Sequence, residues 1–177
     1  MHVTFKKRLF FFFLGMIFFL CTFYVGYSIK MDESFSKELS KNFINQLGSI
    51  DEFSIFFNNL KIALVMFIPV VGIIMGTISG FSTGLVFNSM LDVSTTASVT
   101  YSNPLIIFLT PFGFLELVSY GIAISRSGIL IYEILKGKFV KKSFIHLMIE
   151  IVLVFGLLFI GAISEWVLIE DSIKGGV

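Results

Sequence analysis

The stretch FSIFFNNLKIALVMFIPVVGIIMGTISGFSTGLVFNSMLDV, Phe53 to Val93, decides how this chain folds. Its only charged side chains are Lys61 and Asp92. As one straight helix it would extend about 60 Å, twice the ~30 Å hydrocarbon thickness of a bilayer. It must break. Gly80-Phe81-Ser82-Thr83-Gly84 is the weakest point, which predicts one span from about Asn59 to Ser79 and a shorter one from about Phe81 to Val99. The shorter segment carries Asn88, Asp92 and several Ser and Thr, so it cannot face lipid along its whole length. A re-entrant half-helix is the alternative there. Pro69 removes a backbone hydrogen bond within the first of these spans and predicts a kink.

Composition agrees with a membrane reading. Of 177 residues, 56% are hydrophobic, 16% aromatic and 14% charged, and the mean hydropathy is +0.94. Soluble domains carry about 25% charged residues. The apolar content excludes disorder, and the lone Cys21 excludes a disulfide scaffold. A net charge of +1 supplies no basic face for nucleic acid. The expected class is an all-α polytopic membrane helical bundle.

Outward from Phe53, Lys30 to Glu52 is the only sizeable polar stretch. Phe35, Leu39, Phe43, Leu47 and Ile50 recur at helical spacing, which predicts an amphipathic helix with Lys37, Glu38, Lys41 and Asn45 off the apolar stripe. Before it, Leu9 to Ser28 follows Lys6, Lys7 and Arg8. It has no small-x-small cleavage site and is long for a signal peptide, so it is taken as an uncleaved first helix. Downstream, Thr110-Pro111 reads as an N-cap followed by proline at the first helical position, placing a span from Pro111 to about Leu135. The last span runs from about Phe144 to Ile169.

The positive-inside rule favours about five crossings, because Lys6, Lys7 and Arg8 then share the cytoplasmic side with Lys136, Lys138, Lys141 and Lys142. The expectation is a single integral membrane domain over 1–177, with a first span (1–28), an extracytoplasmic amphipathic segment (29–52) and a four-span core (53–169). The N-terminus is expected in the cytoplasm and the C-terminus outside, in the cell membrane.

Several features lie at membrane depth. Gly72, Gly76, Gly80 and Gly84 recur every fourth residue, a spacing that lets backbones approach closely, within the chain or against a second copy. Glu116, Arg126, Glu150 and Glu165 are costly there and must face protein or water. His146 and Glu150 are one helical turn apart and can touch. Glu116 follows the helix start at Pro111, too far in to receive its free N–H groups fully. Asn58, Asn59 and Lys61 lie at comparable depth, which predicts a polar clamp from Glu116 to that group. The Asn58-Asn59 pair could instead cap its own helix.

No catalytic set is visible: zinc-protease spacing, a phosphate-binding loop and a nucleophile elbow are all missing, and no cofactor or metal is expected. Ser125-Arg126-Ser127-Gly128 has no Lys or His partner near it in sequence for nucleophilic chemistry.

The segment Ile55-Phe56-Phe57-Asn58-Asn59-Leu60-Lys61-Ile62-Ala63-Leu64 resembles the opening of the stage II sporulation protein M family, in which an asparagine pair leads into a glycine-rich span. Asn88 is similar to a recurrent asparagine of the next span. Pro111-Phe112-Gly113-Phe114-Leu115-Glu116 resembles the family's proline-x-glycine-x-x-glutamate signature, followed by Ser125 to Gly128, and Ala162-Ile163-Ser164-Glu165 resembles the acidic end of its last span. The likeness covers about residues 53 to 168. Phe112 departs from it, since members often carry histidine there, and no role of that histidine transfers. The resemblance implies a multi-pass helical fold and, for the namesake, work in a membrane complex with peptidoglycan-remodelling partners during engulfment. Many relatives occur in cells that never sporulate.

The expected function is that of a non-enzymatic scaffold or assembly subunit of a cell-envelope complex. A membrane component of a transporter or permease is the alternative. Expected partners are the lipid bilayer and either a second copy or other membrane proteins, without nucleic acid.

Overall fold

The computed structural model describes residues 5–47, 51–93, 103–137 and 141–174. Every element among them is helical: α1 (Phe5–Tyr27), α2 (Glu33–Leu47), α3 (Glu52–Met66), α4 (Val71–Val93), a 3₁₀ helix (Pro104–Leu109), α5 (Pro111–Leu135) and α6 (Lys141–Lys174). The continuation of the Phe81 segment to Val99, Ile50 and Lys138 lie outside the described residues, as do the side chains of Leu47, Asp92, Lys141 and Lys142. Among the described residues, four helices are long and apolar enough to cross a membrane: Phe5–Tyr27, Val71–Met90, Pro111–Leu135 and Ser143–Asp171. The chain is a helical membrane protein.

The stretch from Phe53 to Val93 does break, but not at Gly80. Instead α3 stops at Met66, the chain turns through Phe67-Ile68-Pro69-Val70, and α4 runs unbroken through Gly80 and Gly84. The predicted span Asn59–Ser79 is therefore two helices, and a predicted kink is a full turn. The reason is energetic. Proline inside a helix loses an N–H and clashes with the preceding turn, at about 3 kcal/mol or more, while glycine costs about 1 kcal/mol. Close packing can offset the second cost. At 15 residues, α3 extends about 22 Å and falls short of a full crossing. Four long helices and one short one thus replace the five spans expected.

Local bonds hold the turn. Val71 N–H donates to the Pro69 carbonyl at 2.8 Å, and Gly72 N–H to the Ile68 carbonyl at 2.8 Å. The Ser127 hydroxyl of α5 donates to the same Ile68 carbonyl at 2.9 Å. Irregular backbone at membrane depth needs such partners, because lipid offers none. Val70 has φ of 69°, a left-handed conformation that a β-branched residue adopts only when its surroundings impose it.

Helices α1 and α4 lie side by side and run the same way. Gly80 sits beside Phe19 and Thr22, Gly84 beside Phe23 and Tyr27, and Asn88 Nδ2 donates to the Ile29 carbonyl at 2.8 Å. A Cβ on Gly84 would collide with the Phe23 carbonyl, and one on Gly26 with the Phe81 backbone. At those two glycines no side chain fits between the backbones. Helix α5 is the hub, with 56% of its apolar window buried against 22–28% for the other three long helices. Its start is capped as the sequence predicts: the Thr110 hydroxyl accepts from Gly113 N–H at 3.1 Å and donates to the Ile107 carbonyl at 2.6 Å. Aromatic rings fill the centre, with Phe23 edge-on to Phe108 at 4.9 Å and Phe19 tilted on Tyr120 at 5.2 Å. Phe56 holds α3 against α6, edge-on to Phe155 at 4.9 Å and Phe159 at 5.5 Å.

The amphipathic helix forms over Glu33–Leu47, but its apolar stripe is not what it buries. Ser36 and Ser40 are buried, Leu39 and Phe43 are partly covered, and Phe35 and Ile44 are exposed. Small serines let α2 approach α4 closely, which rotates the stripe partly outward. Phe43 closes one side of an apolar crevice of about 240 Å³ lined also by Ser82, Val86, Phe87, Met90 and Ile107. Helix α3 starts from an Asp51 cap whose carboxyl accepts from Ser54 N–H at 2.8 Å. Bonds from the Ser54 hydroxyl and N–H hold this exposed carboxyl below the usual range.

Candidate functional site: two polar ties on the α5–α6 seam

Helices α5 and α6 run antiparallel, and the intramembrane charges sit at two levels along them. At the end where α1 begins, Arg126 is the largest fully buried side chain. Its Nε and Nη2 donate to the two carboxylate oxygens of Glu150 in a side-on, bidentate pair. Arg8 of α1 brings its Nη2 to 3.5 Å from Oε1 of the same carboxylate. One acid thus joins three helices. Glu133, two turns after Arg126, is close enough to act electrostatically on Arg8. Arg126 Nη1 and Glu133 Oε2 are buried and lack a hydrogen-bond partner among the described residues. His146 is partly buried on α6, one turn before Glu150.

At the other level, Asn59 Nδ2 of α3 donates to Glu116 Oε1 of α5. Glu165 of α6 lies near enough for like-charge interaction with Glu116, and both carboxylates act on the buried Tyr120. Of the expected clamp, the structure brings Asn59 to Glu116. Asn58 and Lys61 are exposed on α3. A helix turns through about 100° per residue, so neighbours of Asn59 in sequence point away from the face it uses. Capping of α3 falls to Asp51 rather than to the asparagines.

The glycine run serves two seams. Gly72 and Gly76 meet Ser127 and Ile124 of α5, while Gly80 and Gly84 meet α1. Its close-approach face is thus occupied within the chain. Cys21 is exposed on α1. Among the described residues, no group of three His, Cys, Asp or Glu side chains could hold a metal ion.

Arg8 was not legible as a site residue. Sequence reading treats it as one of three orienting charges, and only the packing of α1 along α5 carries it to Glu150. Its position next to the Phe10–Phe13 run, nearest the apolar boundary of the three cations, was the one available signal. Tyr120 also escaped notice, being one aromatic among many.

Chemically, the first level is a closed ion pair that fastens helices. The second is an amide–carboxylate contact beside a second acid, with proton-binding capacity and no ion-paired cation among the described residues. No family model, no curated protein and no solved structure matches this chain.

Proposed function

We propose that the chain is a non-enzymatic multi-pass membrane protein that acts as a scaffold or assembly subunit in a cell-envelope complex. One observation carries this reading most: the deepest charge, Arg126, is spent on a bidentate bond to Glu150 rather than aimed at a passage. Such pairing fastens a rigid frame. Helices α1 and α6 leave most of their apolar surface uncovered within the chain, each with only 22% of its window buried, so lipid and partner helices have room to pack there. The resemblance of its motif order to that of the stage II sporulation protein M family supports an assembly role of the same kind. In this proposal the Arg8 end faces the cytoplasm and α2 lies outside the cell membrane, following the positive-inside rule. Crosslinking in native membranes tests the scaffold: discrete complexes with itself or envelope proteins are expected, and a strictly monomeric protein without partners contradicts it. Reporters fused after Lys138 and at Lys41 test the orientation, cytoplasmic and external respectively.

A second reading, a transporter or permease component, is favoured by one feature alone. Glu116 and Glu165 place two acids beside Asn59 and Tyr120, a set able to take up a proton or cation. Reconstituted ion flux abolished by Glu116→Gln would support it, and flux that Glu116→Gln leaves unchanged would remove its basis.

A further inference from the structure

The bundle end that holds Arg8 carries more positive charge than its own acids neutralise. Lys6, Lys7, Arg8, Arg126 and Lys136 face only Glu133 and Glu150 there among the described residues, and the chain adds Lys141 and Lys142 at the start of α6. Glu150 gives both oxygens to Arg126. Arg8 stands 3.5 Å from one of them, beyond the ~2.7–2.9 Å of a good charge-assisted bond. The two arginines also differ in access, the Arg126 side chain being 0% exposed and the Arg8 side chain 25% exposed. Arg8 therefore keeps guanidinium donors that the protein does not saturate, and they reach solvent or headgroups.

Its depth is that of a phosphate. Lys6 and Lys7 are exposed two residues and one residue nearer the end of the helix, and the apolar run that begins after Arg8 exposes Phe10 at 65%, Phe13 at 52% and Ile17 at 56%. A diacyl lipid would thus lay its chains on the uncovered α1 face below Lys6, which Phe10, Phe13 and Ile17 continue at helical spacing, while its phosphate meets Lys6 and Lys7 at the helix end and the exposed part of the Arg8 side chain. Lys136, 4.9 Å over the Tyr132 ring at the end of α5, sits at the same level. Cations just outside a membrane helix attract anionic headgroups, and basic pockets between helices bind them.

We propose that Arg8, with Lys6 and Lys7, forms a headgroup site for an anionic phospholipid of the surrounding bilayer, Arg8 being shared between Glu150 and the lipid phosphate. The inference depends on membrane embedding and not on the scaffold reading. The test uses the full chain in nanodiscs of equal phosphatidylglycerol and phosphatidylcholine, with retained lipid measured by native mass spectrometry. Enrichment of phosphatidylglycerol is expected, weakening by about five-fold for each cation removed and falling as salt is raised. Arg8→Lys should keep most of it, and Lys37→Gln on α2 all of it. Because Arg8→Gln could disturb the Glu150 tie, Lys6→Gln/Lys7→Gln provides the independent arm, both side chains being exposed. Equal retention of the two lipids by the native protein, or enrichment that persists unchanged in both the Arg8→Gln and the Lys6→Gln/Lys7→Gln proteins, would overturn the proposal.

Discussion

The two levels of the α5–α6 seam solve the same problem differently. Near Arg8, opposite charges meet: Arg126 is fully covered, bidentate on Glu150, and backed by Arg8. Near Glu116, an amide meets a carboxylate, with a second carboxylate close by. The first arrangement brings net attraction but strands a charge if either partner is lost. The second brings a weaker bond, and its acids repel when both are ionised. Helix fastening should therefore depend strongly on side-chain charge at one end and on backbone packing at the other, where Gly84 and Gly26 bring α1 and α4 together.

The largest effect should come from splitting the ion pair. Arg126→Met leaves Glu150 with Arg8 alone, and breaking a buried pair costs about 3–5 kcal/mol. Replacing both partners, Arg126→Met with Glu150→Leu, should recover most of that loss, because the stranded charge is gone too. Unfolding in mixed micelles measures both. A double variant as unstable as the single one would break the comparison at its stronger end.

Next comes the glycine seam at the other end. Gly84→Leu drives a side chain into the Phe23 carbonyl, and overpacking costs about 1–3 kcal/mol. Gly76→Leu should be milder. An added Cβ there stands 2.6 Å from Ile124 Cδ1, the far end of a flexible side chain that can turn aside. Equal losses would mean that the backbone contact does not matter.

The smallest effect concerns the Asp51 cap of α3. Its carboxyl is held below the usual range by Ser54. A depressed folded value means that the cap's contribution is complete above the unfolded value, near pH 3.9, and is lost as pH falls through the folded one. Amide exchange in the first turn of α3 should quicken only in acid, and Asp51→Ala should show that faster exchange already at neutral pH.

Much of the frame was legible because it rests on local rules. Thr110-Pro111 sets the start of α5 through one hydroxyl and one fixed φ, and the apolar runs of α1 and α6 need no partner to be recognised. The break falls at Pro69, where the sequence predicts only a kink, and not at the Gly80–Gly84 run expected to be weakest. Glycine's weakness disappears once a neighbouring helix fills the space beside it, as α1 does at Gly84, whereas a missing N–H and a clashing ring persist in any surroundings. Glu116 announced its need for a donor, and Asn59 was within reach of sequence reasoning. Which of Asn58, Asn59 and Lys61 would turn inward was not, since it depends on the rotation of α3. The Arg126–Glu150–Arg8 tie was hidden for a similar reason: three helices from distant parts of the chain must pack before the partners meet.

The most direct test compares two conservative substitutions in the same membrane mimic, Glu150→Gln and Glu116→Gln, each read as the free energy of unfolding. Glutamine at 150 leaves Arg126 covered without its counter-charge, and a loss of about 3–5 kcal/mol is predicted. Glutamine at 116 keeps an oxygen for Asn59 and removes the like charge facing Glu165, so stability should be unchanged or higher. Equal losses at the two positions, or a larger loss at 116, would contradict the account of an ion pair fastening α5 to α6 and an amide–carboxylate bond fastening α3 to α5.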